Sequence, residues 1–311
     1  MKKYILFSLI STLSYGTEFL GLPSPELQKG VSGISISTNY NFLDSEKTKA
    51  DYIKDVYRVS ANNNEILFNN LPGEILNGYF FHINIGELKG KTLNAPNVSI
   101  LNGYSLDDNN TIGIGLFYNQ ITGKYEGIKT KGDDYQLNLF YKLENEFETL
   151  VTTIYTGSLD EKDKNINEKI DNKYWGLHSR YEVLEESYNL LFKGYRIDLE
   201  GKQLRENQKS HKTTNDSVRG SVKGIVKKDI EIMDNSMITF EVLGGYEREF
   251  MEKRVYEKVM TDDFRDALVL EAKVGYKITE QINTNLSVEY TKSLNTSNDE
   301  IAINMGIKYT F

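Results

Sequence analysis

The chain has 311 residues, of which 26% are charged and 12% aromatic, with a formal net charge of -8 and a mean hydropathy of -0.48. Because it contains no cysteine, a disulfide framework, a cysteine-ligated zinc site and a thiol nucleophile are all excluded. The negative charge argues against nucleic-acid binding, which normally requires a basic surface.

The N-terminus, "MKKYILFSLISTLSYG", has the pattern of a secretory signal peptide. Lysines precede an apolar stretch from Tyr4 to Leu13, and the small residues Ser14 and Gly16 follow it. Such a short stretch cannot cross the hydrocarbon layer as a helix. We therefore expect residues 1–16 to be removed after Gly16, and we expect no helical anchor in the exported chain.

Residues 17–75 contain one strand pattern and one helix pattern. In "GISISTNYNF", residues 33–42, alternating apolar side chains predict a strand. In "SEKTKADYIKDVYRVSA", residues 45–61, the side chains of Ile53, Val56 and Tyr57 lie at helical spacing behind Ser45, a favourable N-cap.

Residues 76–311 hold twelve segments in which apolar and polar side chains alternate, from "LNGYFFHINIGE" to "IAINMGIKYTF". This period predicts strands with one apolar face, and their length suits tilted membrane strands. In the last segment the apolar face carries Ile301, Ile303, Met305, Ile307, Tyr309 and Phe311. We therefore predict an all-β fold: a transmembrane, antiparallel, up-and-down barrel of twelve strands, with fourteen as the alternative.

The connections between these segments alternate in length. Short turns are predicted at 107–110, 144–146, 185–186 and 279–281, and long polar loops at 158–172, 200–216 and 250–266. This alternation is typical of outer-membrane barrels, whose periplasmic turns are short and whose external loops are long. Tyrosines near both ends of the segments predict two aromatic girdles; those assigned to the external girdle are Tyr118, Tyr155, Tyr195, Tyr246 and Tyr290.

The inward positions mix both charges, and none of them forms a catalytic pattern. Basic residues such as Arg180 and Lys273 alternate with acidic ones such as Glu241 and Glu289, which favours a small or plugged pore over a selective channel. The histidines lie far apart, and the acid pairs 133–134 and 262–263 are predicted on solvated loops. We expect no enzyme activity, no catalytic residue, no cofactor and no metal.

The twelve segments resemble the translocator domain of autotransporters, the type V secretion proteins. The resemblance covers residues 76–311 and depends on "GYFFHINIG", "VSILNGYSL", "TIGIGLFYNQ", "DDYQLNLFYKL" and "MGIKYTF". It implies a barrel that exports an N-terminal passenger. Here only residues 17–75 lie between the signal peptide and the barrel, so no large passenger fits. Ile307, Tyr309 and Phe311 also resemble the signal that the outer-membrane barrel assembly machinery reads.

The resemblance leaves three alternatives for residues 17–75. A helix before the first strand lies inside the pore in this family, and residues 46–61 are the candidate; two extra strands or a loose segment are the others. Some family members are cut between two consecutive asparagines in the pore, where "NNN" at 62–64 lies. Since asparagine runs are common in turns, we predict a turn there and no cleavage.

The sequence thus predicts an outer-membrane barrel of a Gram-negative-type bacterium, divided into residues 1–16, 17–75 and 76–311. We expect it to anchor or export its short N-terminal segment through its pore. A diffusion porin and a surface adhesin acting through external loops are the alternatives. Expected partners are outer-membrane lipid, the barrel assembly machinery and periplasmic chaperones, with no nucleic acid, and the barrel is expected to be a monomer.

Overall fold

The fold is known from a computed structural model of the chain, which describes residues 31–45, 52–71, 79–90, 93–125, 128–163, 169–208, 211–233, 236–253, 266–279, 281–295 and 299–310. The predicted signal peptide, residues 1–16, and Phe311 lie outside these residues. Of the predicted turn at 279–281, residue 280 lies outside them as well. The described residues contain one helix, α1 (Tyr52–Asn70). The strands are β1 (Val31–Ser45), β2 (Tyr79–Gly90), β3 (Leu93–Ser105), β4 (Asn110–Tyr125), β5 (Ile128–Glu144), β6 (Glu148–Asp163), β7 (Lys169–Tyr188), β8 (Leu191–Gln208), β9 (His211–Met233), β10 (Ser236–Lys253), β11 (Asp266–Lys277), β12 (Ile282–Ser293) and β13 (Asp299–Thr310).

The strands close into one barrel whose apolar side chains point outward. Along β5, Leu137 and Leu139 are exposed, whereas Gln136 and Asn138, which alternate with them, are buried inside. This inverted alternation runs through the barrel and is the pattern of a membrane barrel, whose outer face meets lipid. Among the described residues, no helix has the length and hydropathy that a membrane-spanning helix requires.

The described residues form thirteen strands, so the predicted count of twelve is wrong by one. Strands β2 to β13 pair antiparallel with their sequence neighbours, as expected. The additional strand is β1, which pairs antiparallel with β13 and parallel with β2. An odd number of alternating strands cannot close with antiparallel pairs alone, so one parallel pair is required. The predicted strand at 33–42 is confirmed, but as one extra strand rather than two.

The parallel pair is held closely. Gly86 of β2 faces Asn39 of β1, and a Cβ atom added to Gly86 would lie 2.4 Å from the Asn39 carbonyl oxygen. The Ser37 hydroxyl donates a hydrogen bond to Asn84 Oδ1 at 2.7 Å. A residue larger than glycine at position 86 would therefore force the two strands apart.

The connections differ from the prediction at one end of the barrel. At the short-turn end, 106–109 and 145–147 link strands as expected, but the next turn lies at Asn189 and Leu190, not 185–186. Both residues have positive φ, as a two-residue hairpin turn requires. At the opposite end, the described residues of the predicted loops 158–172 and 200–216 are strand, and β9 alone has 23 residues. Most of the predicted loop 250–266 lies outside the described residues. We call this the long-hairpin end.

The aromatic positions confirm the predicted girdles in part. At the short-turn end, outward-facing and exposed rings include Tyr104, Tyr141, Phe147, Tyr276 and Tyr309. Tyr155, assigned to the external girdle, is instead buried inside the barrel, because it lies at an inward position of β6. Tyr195 lies near the short-turn end beside Tyr181, with ring centroids 6.2 Å apart.

Candidate functional site in the barrel lumen

Helix α1 lies inside the barrel. Val59, Ile66 and Leu67 of the helix are 1%, 1% and 0% exposed. Burying side chains of this size contributes about 1.5–3 kcal/mol each. The predicted pore helix is therefore confirmed, although it spans Tyr52–Asn70 rather than residues 46–61.

Two apolar clusters on the lumen wall fix the direction of α1. Val59 packs in a cluster with Leu88, Leu93 and Leu204, at the long-hairpin end. Ile66, Leu67 and Leu71 pack with a second cluster at the short-turn end, formed by Phe80, Leu101, Phe117, Phe140 and Val151. The chain therefore runs along β1 towards the long-hairpin end, and α1 runs back through the lumen towards the short-turn end, where β2 begins.

Between these clusters, the asparagines of α1 form an amide network with the wall. Asn63 Nδ2 donates to Gln136 Oε1 at 3.0 Å, and Asn119 Nδ2 donates to Asn63 Oδ1 at 3.2 Å. Asn64 Oδ1 accepts from Gln136 Nε2 at 3.1 Å and from Asn138 Nδ2 at 3.0 Å. Asn63 and Asn64 are fully buried. Buried polar groups require such partners, so the network holds α1 in one position.

The predicted turn at residues 62–64 is wrong, since these asparagines lie in the middle of a continuous helix. Asparagine is a poor helix former in isolation because its side chain competes for backbone groups. Here the wall of the barrel supplies partners for both side-chain amides, which removes that competition. The peptide bond between Asn63 and Asn64 is buried in this network.

An ion pair joins α1 to the opposite part of the wall. Arg180 Nη2 lies 2.5 Å from Glu65 Oε1, and Arg180 Nε lies 2.7 Å from Asp198 Oδ1. The guanidinium carbon lies 4.6 Å from the centre of the Phe68 ring, which also meets His178 edge-on at 4.7 Å. Arginine thus binds two carboxylates and one ring, in a geometry for which its planar fork is suited.

Many charged side chains elsewhere on the lumen wall pair with one another. These pairs are Arg196 with Glu182, Arg219 with Glu247, Lys223 with Glu289, and Lys273 with both Glu241 and Glu271. The sequence pattern did not single out Asp198 and Glu200, which also lie in this network. Alternation along β8 places both residues at inward positions, so the sequence pattern could have identified them as lumen residues.

The acid pairs 133–134 and 262–263 were both predicted on solvated loops. Asp134 was expected on a solvated loop, but β5 extends through it, and its carboxylate is buried and accepts hydrogen bonds from Tyr174 and Asn119 at 2.8 and 2.9 Å. The pair 262–263 lies outside the described residues.

Two of the histidines lie in strands of the barrel. His82 is buried, and its Nε2 atom lies 2.9 Å from the Ser37 hydroxyl. His211 is the first residue of β9.

The predicted assembly residues lie at the end of β13. The side chains of Ile307 and Tyr309 point outward and are 55% and 37% exposed, and Phe311 lies outside the described residues. Lipid contact is consistent with this placement, while the role of these residues as an assembly signal stays a prediction. Within the described part of the chain, no group of three histidine or acidic side chains is arranged to hold a metal ion.

No protein-family model matches the sequence, and no curated protein sequence matches it. The solved structures that share the fold include two autotransporter domains. The translocator domain of the autotransporter NalP from Neisseria meningitidis has a TM-score of 0.52 at 12% identity, covering 83% of this chain and 96% of that one. The β domain of the Bordetella autotransporter BrkA has a TM-score of 0.51 at 14% identity, covering 70% of this chain and 91% of that one.

The chain has the fold of an autotransporter translocator barrel. Its closed sheet and its apolar outer face belong to a barrel of the Gram-negative outer membrane. In such barrels the short turns face the periplasm. The short-turn end is therefore the periplasmic end, and the long-hairpin end faces outward.

Proposed function

We propose that this outer-membrane barrel holds its own N-terminal helix, α1, in the lumen as a plug. It would thus resemble a translocator in which the segment that precedes the barrel strands stays inside the pore. The observation that carries this proposal is the set of contacts between α1 and the wall: two apolar clusters, the Asn63–Asn64 amide network and the Arg180–Glu65 ion pair. We refer to α1 below as the plug helix.

The path of the chain favours anchoring over export. Because β1 is antiparallel to β13, it starts at the periplasmic end, next to Thr310, and finishes at the outer end, next to Glu300. The plug helix then returns through the lumen to β2. Val31 at the start of β1 and Tyr79 at the start of β2 thus both lie at the periplasmic end.

Conductance in planar bilayers tests the plug. We would refold residues 17–311 and a variant in which residues 52–71 are replaced by a Gly/Ser linker of equal length. The proposal predicts that the full chain is nearly closed and that the linker variant conducts stably. A second variant carries such a linker at residues 164–168, between β6 and β7, and should stay closed.

Two results would count against the plug. If the full chain and the linker variant conduct alike, the barrel is a diffusion porin whose helix does not restrict the pore. If the variant at 164–168 conducts as well as the variant at 52–71, conductance reports general damage. Heat-modifiable migration in gels verifies that each variant is folded, and the mass of the mature chain shows whether the Asn63–Asn64 bond is intact, as we expect.

A second candidate function, surface adhesion, is favoured by the hairpins at the outer end. Strands β7 to β10 have 18 to 23 residues, whereas β11 to β13 have 12 each, so one side of the barrel is the taller. Trimming residues 200–216 should abolish binding to host cells or matrix if these hairpins are the contact surface. Unchanged binding would remove this candidate.

We further propose that the barrel has no catalytic role and works as a monomer in outer-membrane lipid. Periplasmic chaperones and the barrel assembly machinery would deliver it there, as the outward apolar face of β13 suggests. Refolded protein should show no hydrolysis of esters, lipids or peptides. Detectable turnover that depends on Asp134 or His178 would contradict this part of the proposal.

A further inference from the structure

A cavity of about 260 Å³ lies in the lumen at the periplasmic end, where the plug helix finishes. Two lysines, Lys277 and Lys308, line it together with the amides of Asn69, Asn70 and Asn283. The first two amides belong to the plug helix and the third to the barrel wall. The plug helix therefore forms one side of this cavity.

The strand register places the two lysines side by side. Lys277 of β11 pairs with Asn283 of β12, and Asn283 pairs with Lys308 of β13. Directly paired residues point to the same face of a sheet, and strands lie about 4.8 Å apart, so the two lysine Cα atoms are about 10 Å apart. Two flexible side chains at this separation can both reach one ligand between them.

No carboxylate of the described residues neutralises the positive charge of this cavity. Elsewhere in the lumen, Lys273 and Lys223 each lie within ion-pair distance of a carboxylate. Across the residues that the structure describes, neither Lys277 nor Lys308 has a carboxylate within that distance. Both lysines are half-buried, so their ammonium groups lose part of their hydration, and a bound anion would offset that cost.

The end of the plug helix accounts for only part of this charge. Lysines near a helix C-terminus interact favourably with its dipole, which amounts to about half an elementary charge. One of its last carbonyl groups, that of Ile66, already accepts a hydrogen bond from Asn70 Nδ2 at 2.8 Å, and that of Leu67 accepts one from the Leu71 amide. Two full positive charges therefore exceed what the helix end can balance.

We propose that this cavity binds a small oxyanion, with inorganic phosphate as its chemical type, between Lys277 and Lys308. The ammonium groups supply charge, and the side-chain amides of Asn69 and Asn283 supply further donors. The cavity is smaller than the range of about 300–1,000 Å³ typical of sites for drug-sized ligands. An ion and a few waters, at about 30 Å³ per water, fit this space.

Titration calorimetry with inorganic phosphate tests this site on the full chain refolded in a zwitterionic detergent at low salt. We expect one phosphate per chain. Lys277→Gln and Lys308→Gln should each weaken binding at least about tenfold, since a hydrogen bond to a charged group is lost. The double variant should bind no phosphate. The matched control is Lys273→Gln, which removes a lumen lysine four residues from Lys277 that already pairs with carboxylates.

Three outcomes would overturn the proposal. The first is that the unaltered chain binds no phosphate. The second is that Lys273→Gln weakens binding as much as Lys308→Gln, which would show a diffuse effect of lumen charge. The third is that both cavity variants bind phosphate normally and conduct, because the lysines would then serve only to hold the plug helix. A closed barrel without phosphate binding removes this site and leaves the plug intact.

Discussion

The amide network offers the sharpest test of how the plug helix is held. Substituting Asn63 and Asn64 by leucine preserves side-chain size and removes four hydrogen bonds of 3.0 to 3.2 Å to the wall. It also removes a longer one of 3.5 Å, which Asn64 Nδ2 donates to Glu200 Oε1. A typical hydrogen bond contributes about 1 kcal/mol, so docking of the helix should weaken by about 4 kcal/mol. The ratio of open to closed barrels should then rise about a thousandfold.

Single-channel recording measures that ratio directly, from the time spent open and closed. The control is Asn69→Leu, recorded without phosphate, which makes the same chemical change at an exposed position of the same helix that lies outside the amide network. We expect frequent openings from the double variant and none beyond background from the control. If the double variant stays as closed as Asn69→Leu, the buried amides do not hold the helix, and the reasoning is wrong.

Three further predictions concern the wall of the barrel. Gly86→Ala should lower the free energy of unfolding in urea by about 1–3 kcal/mol, because its Cβ meets the backbone of β1, while Gly201→Ala, with nothing within 4 Å, should change it little. A hydrogen bond from the Asn110 side chain lowers the pKa of the Asp107 carboxyl. This turn should therefore be fully stabilised above pH 3.8, and it should lose that stabilisation as the pH falls through the lowered pKa. An NMR titration of the Asp107 carboxyl measures this change. Deleting Phe311 should reduce the fraction of chains that become heat-modifiable in cells, and an unchanged fraction would exclude it from the assembly signal.

Alternation along the chain was sufficient to predict β2 to β13 because lipid imposes the same requirement on every strand. Each outward side chain must be apolar, and each backbone group must pair with a neighbouring strand. Sequence neighbours pair by default in such a barrel. The place of β1 did not follow from that rule. It pairs with β13, the last strand of the described residues, and it runs parallel to β2, from which α1 separates it in the sequence. Its alternation predicted a strand but not where it would insert.

In the lumen, the alternation of apolar and polar residues predicts which side chains point inward but not which of them contact each other. Alternation fixes which side chains point inward, so the mixed charges of the lumen could be recognised from the sequence, but their individual partners could not. The interaction of Asn63 with Asn119 and Gln136 joins residues 56 and 73 positions apart, and only the closed barrel brings them together. The same holds for the long hairpins: their polar residues are typical of loops, yet ladder hydrogen bonds extend β8 and β9 through them.

Photocrosslinking from Phe68 tests most directly whether the helix lies in the lumen. With benzoylphenylalanine at this position in the folded full chain, we predict crosslinks to β7 around His178 and Arg180, which mass spectrometry can map. The same probe at Tyr104, which faces outward, should react with lipid or detergent instead. Failure of the Phe68 probe to reach β7 while the barrel is folded, or labelling of lipid from both positions, would contradict a plugged barrel.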